Sequence, residues 1–153
     1  MLAKRGAAVT HVDAAKGMVE RAKKNCTLNA VPEQNTRFIV DDCKKFVARE
    51  IKRGKTYDAV IMDPPSYGRG ASGEVWRMED DIFDLVKLCA CVLGDAPIFF
   101  LINSYTTGLQ PQTIENILTL TMPRGTVEGY EVCLPTERSV PLPCGCSGSW
   151  RCK

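Results

Sequence analysis

Short apolar runs alternate along the chain with longer segments in which apolar residues recur every three or four positions. The runs predict strands at 7–12, 37–40, 57–62 and 97–102, and two strands of a closing hairpin at 126–134 and 140–150. The helical spacing predicts helices at 14–28, 44–52, 79–93 and 111–122. Strands and helices that alternate in this way are typical of βαβ units. The sequence therefore predicts an α/β fold with a mainly parallel sheet and a C-terminal antiparallel hairpin.

The segment Tyr57–Met62 is almost continuously apolar, which predicts a strand buried on both faces of a parallel sheet. Pro64 and Pro65 cannot donate hydrogen bonds to a neighbouring strand, so the strand should stop at Asp63. Ligands of open α/β sheets bind beyond the carboxyl ends of the strands. We therefore expect Asp63 and the two prolyl carbonyls to accept hydrogen bonds from a planar base that carries an amino group, while Tyr67 stacks on its face.

The motif Asp63-Pro64-Pro65-Ser66-Tyr67 resembles that of the class I S-adenosylmethionine-dependent methyltransferases. Its Asp-Pro-Pro-x-aromatic form is most similar to the ribosomal RNA large-subunit methyltransferase group. The resemblance runs from Val9–Asp13 to Leu142–Gly145. It implies a Rossmann-like, doubly wound sheet, S-adenosyl-L-methionine as the cofactor, and a base in RNA, ribosomal RNA above all, as the substrate.

Two earlier strands also end in acids, and the resemblance gives each a role. Asp13 can accept both hydroxyls of a ribose. Asp42 is expected to accept from the adenine amino group of the cofactor, and the backbone N–H of Cys43 to reach a ring nitrogen. Asp41 fits the pattern less well, and Asp13 and Asp42 would also serve as N-caps of the helices that follow them. Asp63 should border the cofactor where the base meets the methyl group, so we expect all three strand ends at one edge of the sheet.

The glycine-rich turn that holds the methionine half of the cofactor in this family has no counterpart in the sequence. Met1–Gly6 resembles the end of the helix that should follow such a turn. We therefore expect residues 1–153 to form a single, N-terminally truncated methyltransferase domain that lacks the first strand and the glycine loop, with weaker cofactor affinity than a version that has them. The alternative is a catalytically inactive remnant or fragment without cofactor binding. A different nucleotide-binding α/β protein is a third hypothesis, which the Pro-Pro motif disfavours.

The cysteines bear on the atom that is methylated. Methylation of cytosine C5 needs a thiolate nucleophile, but Ser66 stands in the motif and 103–107 contains no cysteine. Cys144 belongs to the terminal hairpin, so an exocyclic or ring nitrogen is the favoured target. Cys144-x-Cys146 lacks the paired Cys-x-x-Cys spacing of structural zinc, and no metal is predicted. Ser66 has no plausible histidine partner, because the only histidine, His11, lies within a predicted strand.

Composition and charge limit the domain size and the partners that the chain is expected to have. The chain has 153 residues, of which 44% are hydrophobic, enough for one domain with a real core. Its net charge of +2 neither requires nor excludes a nucleic-acid partner. Eight scattered cysteines favour reduced thiols in the cytoplasm, and no apolar run approaches the roughly 18 residues of a membrane span, so no membrane partner is predicted. Arg69, Arg77 and Lys87 are candidates for an RNA-facing rim, with Trp76 as a stacking or packing group.

Overall fold

The computed structural model describes residues 2–70 and 73–153. The sequence indicates a glycine-rich loop at 66–73, of which Ala71 and Ser72 lie outside the described residues, as does Met1. The strands of the described residues are Val9–Asp13 (β1), Thr36–Val40 (β2), Ala59–Met62 (β3), Tyr67–Arg69 (β4), Val75–Arg77 (β5), Phe99–Ser104 (β6), Gly125–Leu134 (β7) and Leu142–Cys152 (β8). Their α-helices are Lys16–Leu28 (α1), Cys43–Lys52 (α2), Met78–Ala90 (α3) and Pro111–Thr121 (α4). Every strand and helix predicted from the pattern is present, with bounds that shift by a few residues.

Two compact units divide the chain, one at 1–49 and the other at 50–153. In the first unit, β1 and β2 pair in parallel, with Asp13 opposite Val40. Val19 is the buried residue of α1, whereas Met18, which the helical spacing places on the inward side, is 51% exposed. His11 lies on β1 as expected, and its ring centroid is 6.0 Å from that of Phe38.

The second unit contains a four-stranded sheet in the order β3-β6-β8-β7. Strands β3 and β6 are parallel, while β8 pairs in the antiparallel direction with both β6 and β7. The predicted C-terminal antiparallel hairpin is therefore confirmed. Its second strand does not extend the sheet outward but lies between β6 and β7.

The core of this unit lies between the sheet and helices α3 and α4. Trp150, Phe100, Ile102, Ile114 and Leu118 are fully buried. A Cβ atom at position 148 would overlap Ile114, so glycine at this position of β8 allows α4 to pack closely on the strand. Burial of each large apolar side chain of this kind stabilises the fold by about 1.5–3 kcal/mol relative to its exposure.

The expectation that β3 is buried on both faces is wrong. Ile61 is 53% exposed. It is paired with Leu101, whereas α4 packs near Gly148 on the opposite face of the sheet, the face of Ile102. A continuous apolar run indicates hydrophobic side chains on both faces of a strand, but it does not predict whether a helix covers each face.

The segment after the Pro-Pro motif is also more ordered than predicted. The sequence indicates a glycine-rich loop over 66–73, but Tyr67–Arg69 forms strand β4, which pairs in the antiparallel direction with β5. Three-residue strands interrupted by glycine carry too little alternation to be recognised from a sequence.

Candidate functional site

The carboxyl edge of β1 and β2 brings two of the predicted acids together. Asp13 ends β1, and its backbone carbonyl accepts a hydrogen bond from the N–H of Asp41 (3.1 Å). One side-chain oxygen of Asp13, Oδ1, accepts from the N–H of Ala15 at the start of α1 (2.7 Å). The other oxygen, Oδ2, has no hydrogen-bond partner in residues 2–70 and 73–153. Asp13 therefore supports the helix start and still presents one free acceptor.

Asp42 has the capping role that the sequence left open. Its Oδ1 accepts from the N–H of Lys45 (2.8 Å), as expected of the N-cap of α2. Asp41 forms an ion pair with Arg49 instead. An acid that is already paired with a guanidinium is less available to a ligand, so Asp42 is the more available of the two acids, and its role toward the cofactor stays a prediction.

Cys43 begins α2, where the first N–H groups of a helix have no acceptor within it. Burial raises the pKa of the Cys43 thiol, and the nearby carboxylates of Asp13 and Asp42 raise it further. The thiol is therefore held in its neutral form and is not a prepared nucleophile. Because the charges of Asp13 and Asp42 both act on the Cys43 thiol, these three residues lie close together. Two acidic acceptors beside a free N–H match the hydrogen-bonding groups of a nucleoside.

Asp63 follows the last residue of β3 and is exposed at its carboxyl end. Its carboxylate makes no hydrogen bond or ion pair with any described residue. Partial loss of hydration raises the pKa of the Asp63 carboxyl group above its ordinary value. An acid without a protein partner at this position is available to a ligand. That Asp63 shares an edge with Asp13 and Asp42 stays a prediction.

The residues after Asp63 are fixed by three hydrogen bonds. The Nε1–H of Trp76 donates to the Pro65 carbonyl (2.6 Å), and the N–H of Met78 donates to the Ser66 carbonyl (3.1 Å). The hydroxyl of Thr106, which follows β6, donates to Ser66 Oγ (2.8 Å). The Pro65 carbonyl is therefore already engaged, contrary to the expectation that both prolyl carbonyls are open. The Pro64 carbonyl remains without a partner among the described residues.

Tyr67 lies on one side of the β4–β5 hairpin. It is paired with Arg77, and Arg69 is paired with Val75. The Tyr67 ring is 50% exposed, and its hydroxyl accepts from Arg69 Nε (2.8 Å). Trp76 projects from the other side of the hairpin toward Pro65. The two aromatic residues thus have different roles, because Trp76 anchors the motif whereas Tyr67 presents an open ring held by an arginine.

The end of β6 contributes residues that sequence reasoning missed as part of the site. Ser147 of β8 is 2% exposed and donates its hydroxyl to Asn103 Oδ1 (2.7 Å). The N–H of Thr106 donates to Ser104 Oγ (3.1 Å), which fixes the turn after the strand. The signal in the sequence is a polar run that directly follows an apolar strand, as Asp63 follows β3.

The cysteines of β8 have structural surroundings. Cys144 donates its thiol to the Val132 carbonyl (3.2 Å), and Cys146 donates to the Leu109 carbonyl (3.3 Å). Burial raises the pKa of the Cys146 thiol. Within the part of the chain that the structure describes, no group of three His, Cys, Asp or Glu residues could hold a metal ion. None of the described helices combines the length and apolar character needed to span a membrane.

Comparisons with known proteins were made for sequence and for structure. No protein-family model matches the chain. A solved S-adenosylmethionine-dependent methyltransferase from Agrobacterium tumefaciens is 31% identical, with a TM-score of 0.90, over 99% of this chain and 51% of its own. A Methanocaldococcus jannaschii protein named as a candidate ribosomal RNA large subunit methyltransferase is 36% identical over 65 residues, which are 42% of this chain and 17% of that protein. Ribosomal RNA large subunit methyltransferase I of Photobacterium profundum is 34% identical over 64 residues, 42% of this chain and 16% of its own.

These similarities confirm the resemblance to the class I methyltransferases of the ribosomal RNA large-subunit group and the Rossmann-like α/β fold class. The chain spans only part of each relative, about half of the solved one (51%) and far less of the two ribosomal RNA methyltransferases (17% and 16%).

Proposed function

From this shared fold and sequence, we propose that the chain is part of an S-adenosylmethionine-dependent methyltransferase that modifies a base in RNA, with ribosomal RNA as the first candidate. The observation that carries the proposal is the unpartnered carboxylate of Asp63, beside a Pro-Pro turn that Trp76 and Thr106 hold in place. Such a methyltransferase would act on RNA in the cytoplasm. The arginines of the β4–β5 hairpin, Arg69 and Arg77, would lie beside the bound RNA strand.

The residues of the motif would act mainly by positioning the base. Asp63 accepts a hydrogen bond from its amino group, and the Pro64 carbonyl is a second acceptor for the same group. Tyr67 stacks on the ring and fixes its plane. When bound, S-adenosylmethionine supplies a methyl carbon made electrophilic by its sulfonium. Holding the base nitrogen in line with that carbon supplies most of the rate enhancement for a transfer of this kind.

The first unit would hold the nucleoside half of the cofactor. The free Oδ2 of Asp13 suits a ribose hydroxyl, while Asp42 and the N–H of Cys43 suit the amino group and a ring nitrogen of adenine. This assignment uses the carboxylate oxygens that remain free when Asp13 accepts from the N–H of Ala15 and Asp42 from the N–H of Lys45. The alternative, an inactive remnant, differs from it in one measurable property, which is whether the chain binds the nucleoside.

Asp42→Ser is the substitution that tests this assignment. Asp42 also caps α2, so alanine would remove the cap and cost about 0.5–2 kcal/mol of stability. Serine keeps a capping oxygen and removes the carboxylate. We expect Asp42→Ser to weaken S-adenosylhomocysteine binding roughly five- to hundred-fold, as loss of a desolvated acceptor does, with little change in thermal stability. Calorimetric titration measures the affinity.

Asp41→Asn is the matched control for that titration, because Asp41 is the neighbouring acid and pairs with Arg49. It should lower stability and leave the affinity nearly unchanged. Absence of any binding by the unsubstituted chain would support the remnant, and equal effects of the two substitutions would remove the assignment of Asp42.

Cys43 offers a second test of the same edge, because its thiol is exposed beside both carboxylates. A bound nucleoside would cover it, so S-adenosylhomocysteine should slow alkylation of Cys43 by iodoacetamide at a pH alkaline enough to ionise part of this thiol. Peptide mass spectrometry reads each cysteine separately, and exposed Cys91 of the second unit serves as the internal control. Protection of both cysteines, or of neither, would contradict binding at this edge.

A further inference from the structure

Asn103, near the end of β6, is a second polar residue at the carboxyl end of the strand pair that leads into Asp63. Met62 is paired with Ile102 at the end of the parallel register of β3 and β6, and Asp63 and Asn103 are the residues that directly follow this last pair. Neighbouring strands are about 4.8 Å apart. Asn103 is in turn paired with Ser147 of β8. A polar row therefore crosses the end of the sheet, with the free acid at one end and a buried hydroxyl at the other.

The buried hydroxyl determines how the amide of Asn103 is turned. Ser147 donates to Asn103 Oδ1 (2.7 Å), and at 2% exposure its hydroxyl has little access to water. The amide of asparagine accepts hydrogen bonds through Oδ1 and donates them through Nδ2. With Oδ1 engaged, Nδ2 is the branch left for a ligand, and it has no hydrogen-bond partner among the described residues. The site thus presents a fixed donor beside the free acceptor of Asp63.

We propose that Asn103 contacts the same base as Asp63, with Nδ2 donating to a ring nitrogen while Asp63 accepts from the neighbouring exocyclic amino group. This inference rests on the proposed function and specifies its substrate class. The base must have an amino group beside an unprotonated ring nitrogen, as adenine and cytosine do on their pairing edges. Uracil has no amino group. On the pairing edge of guanine, the ring nitrogen beside the amino group carries a hydrogen and cannot accept from Asn103. Asn103 is thus a specificity-determining residue.

Base analogues that lack only the ring nitrogen test the proposal. The ¹⁵N-labelled protein, saturated with S-adenosylhomocysteine so that the nucleoside site is filled, is titrated with AMP, CMP, UMP and GMP, and with 1-deaza-AMP and 3-deaza-CMP. We expect AMP or CMP to shift the Asn103 Nδ2 signals, and its deaza analogue to bind roughly fivefold more weakly or worse. UMP and GMP should leave those signals unchanged.

Substitutions at the same site separate recognition from folding. Asn103→Asp is nearly isosteric and removes the donor, so it should abolish the difference between the natural and the deaza nucleotide. Ser147→Ala should reduce that difference, because the amide is no longer fixed. The backbone signals of β6 and β8 show whether each variant keeps its sheet, and Asn103→Ser replaces Asn103→Asp if the latter unfolds.

The outcomes distinguish this inference from the proposed function. Equal binding of natural and deaza nucleotides, a response to UMP, or no response of Asn103 to any nucleotide would overturn the role of Asn103. Absence of S-adenosylhomocysteine binding would instead count against the proposed function, and the Asn103 signals would still report on the nucleotides in that case.

Discussion

Replacement of Asp63 by alanine is expected to abolish methyl transfer while the affinity for S-adenosylhomocysteine stays within about twofold of the original. Asp63 has no protein partner, so its removal breaks no contact within the described residues. It would instead remove the acceptor that positions the base, and loss of a well-placed catalytic group costs roughly 10²-fold or more in rate. The measurement is transfer of labelled methyl groups to unmodified ribosomal RNA transcripts at saturating cofactor. The substitution is made in a form of the protein that is active in this assay.

The raised pKa of Asp63 gives this result a pH dependence. The ionised carboxylate is the stronger acceptor and the protonated form presents a donor in place of one acceptor, so the rate should rise with pH through a pKa above that of an ordinary aspartate. For stability the sign is opposite. The contribution of Asp63 is fully present below its unfolded pKa and is lost as pH rises through the raised folded value. Asp63→Asn should therefore not lower thermal stability at neutral pH.

Two results would contradict the role of Asp63. One is a variant that loses cofactor and keeps its turnover at saturating cofactor, because Asp63 would then contact the nucleoside. The other is a folded Cys144→Ser variant without activity. Cys144 donates to a backbone carbonyl within the terminal hairpin, and its replacement should leave activity intact unless a thiolate attacks the base.

Trp150→Ala should produce the largest loss of stability among single substitutions in the second unit. The side chain is fully buried, and its Nε1–H donates to the Pro123 carbonyl (2.9 Å). Truncation of a buried tryptophan to alanine costs about 3–5 kcal/mol through lost burial and the cavity that remains. Because native domains are stable by only about 5–15 kcal/mol, this loss is a large fraction of the total. Urea denaturation followed by fluorescence and circular dichroism measures it.

Two further variants separate the contributions of the Trp150 ring. Trp150→Phe keeps most of the apolar volume and removes the donor, so the hydrogen bond accounts for about 0.5–1.5 kcal/mol of its cost. Tyr130→Ala on the neighbouring strand β7 removes an aromatic ring that is 40% exposed and should cost much less. A cost of Tyr130→Ala equal to that of Trp150→Ala would mean that burial in this sheet does not determine stability.

The hydrophobic pattern was sufficient to predict the strands that end at Asp13, Asp41 and Asp63, because apolar runs and the prolines that stop them are local features. It also predicted helices α1 to α4. It could not predict the order of strands in the second unit. Ser147 and Asn103 are 44 residues apart and meet only because β8 lies between β6 and β7, and no local pattern specifies that pairing.

The anchoring of the Pro-Pro motif could not be predicted for the same reason. Trp76 could be recognised as a packing or stacking group, but its bond to the Pro65 carbonyl depends on the β4–β5 hairpin, which is too short to give a signal. Capping by Asp13 and Asp42 was expected as the alternative to ligand binding. Asp42 caps α2, whereas the N-cap of α1 is Ala15, and Asp13 accepts from the N–H of Ala15. Each of these bonds uses one carboxylate oxygen, so each acid keeps a second oxygen for a ligand.

The position of β8 has a consequence for synthesis of the protein. Strands β6 and β7 leave the ribosome before β8, and in the native sheet they have no direct pairing with each other. Until β8 emerges, a nascent chain would present two unpaired strand edges, which is a state prone to association with other chains. The Asn103–Ser147 bond, and with it the orientation of the Asn103 amide, can form only after β8 has emerged. Correct geometry beside Asp63 is therefore a late event of folding.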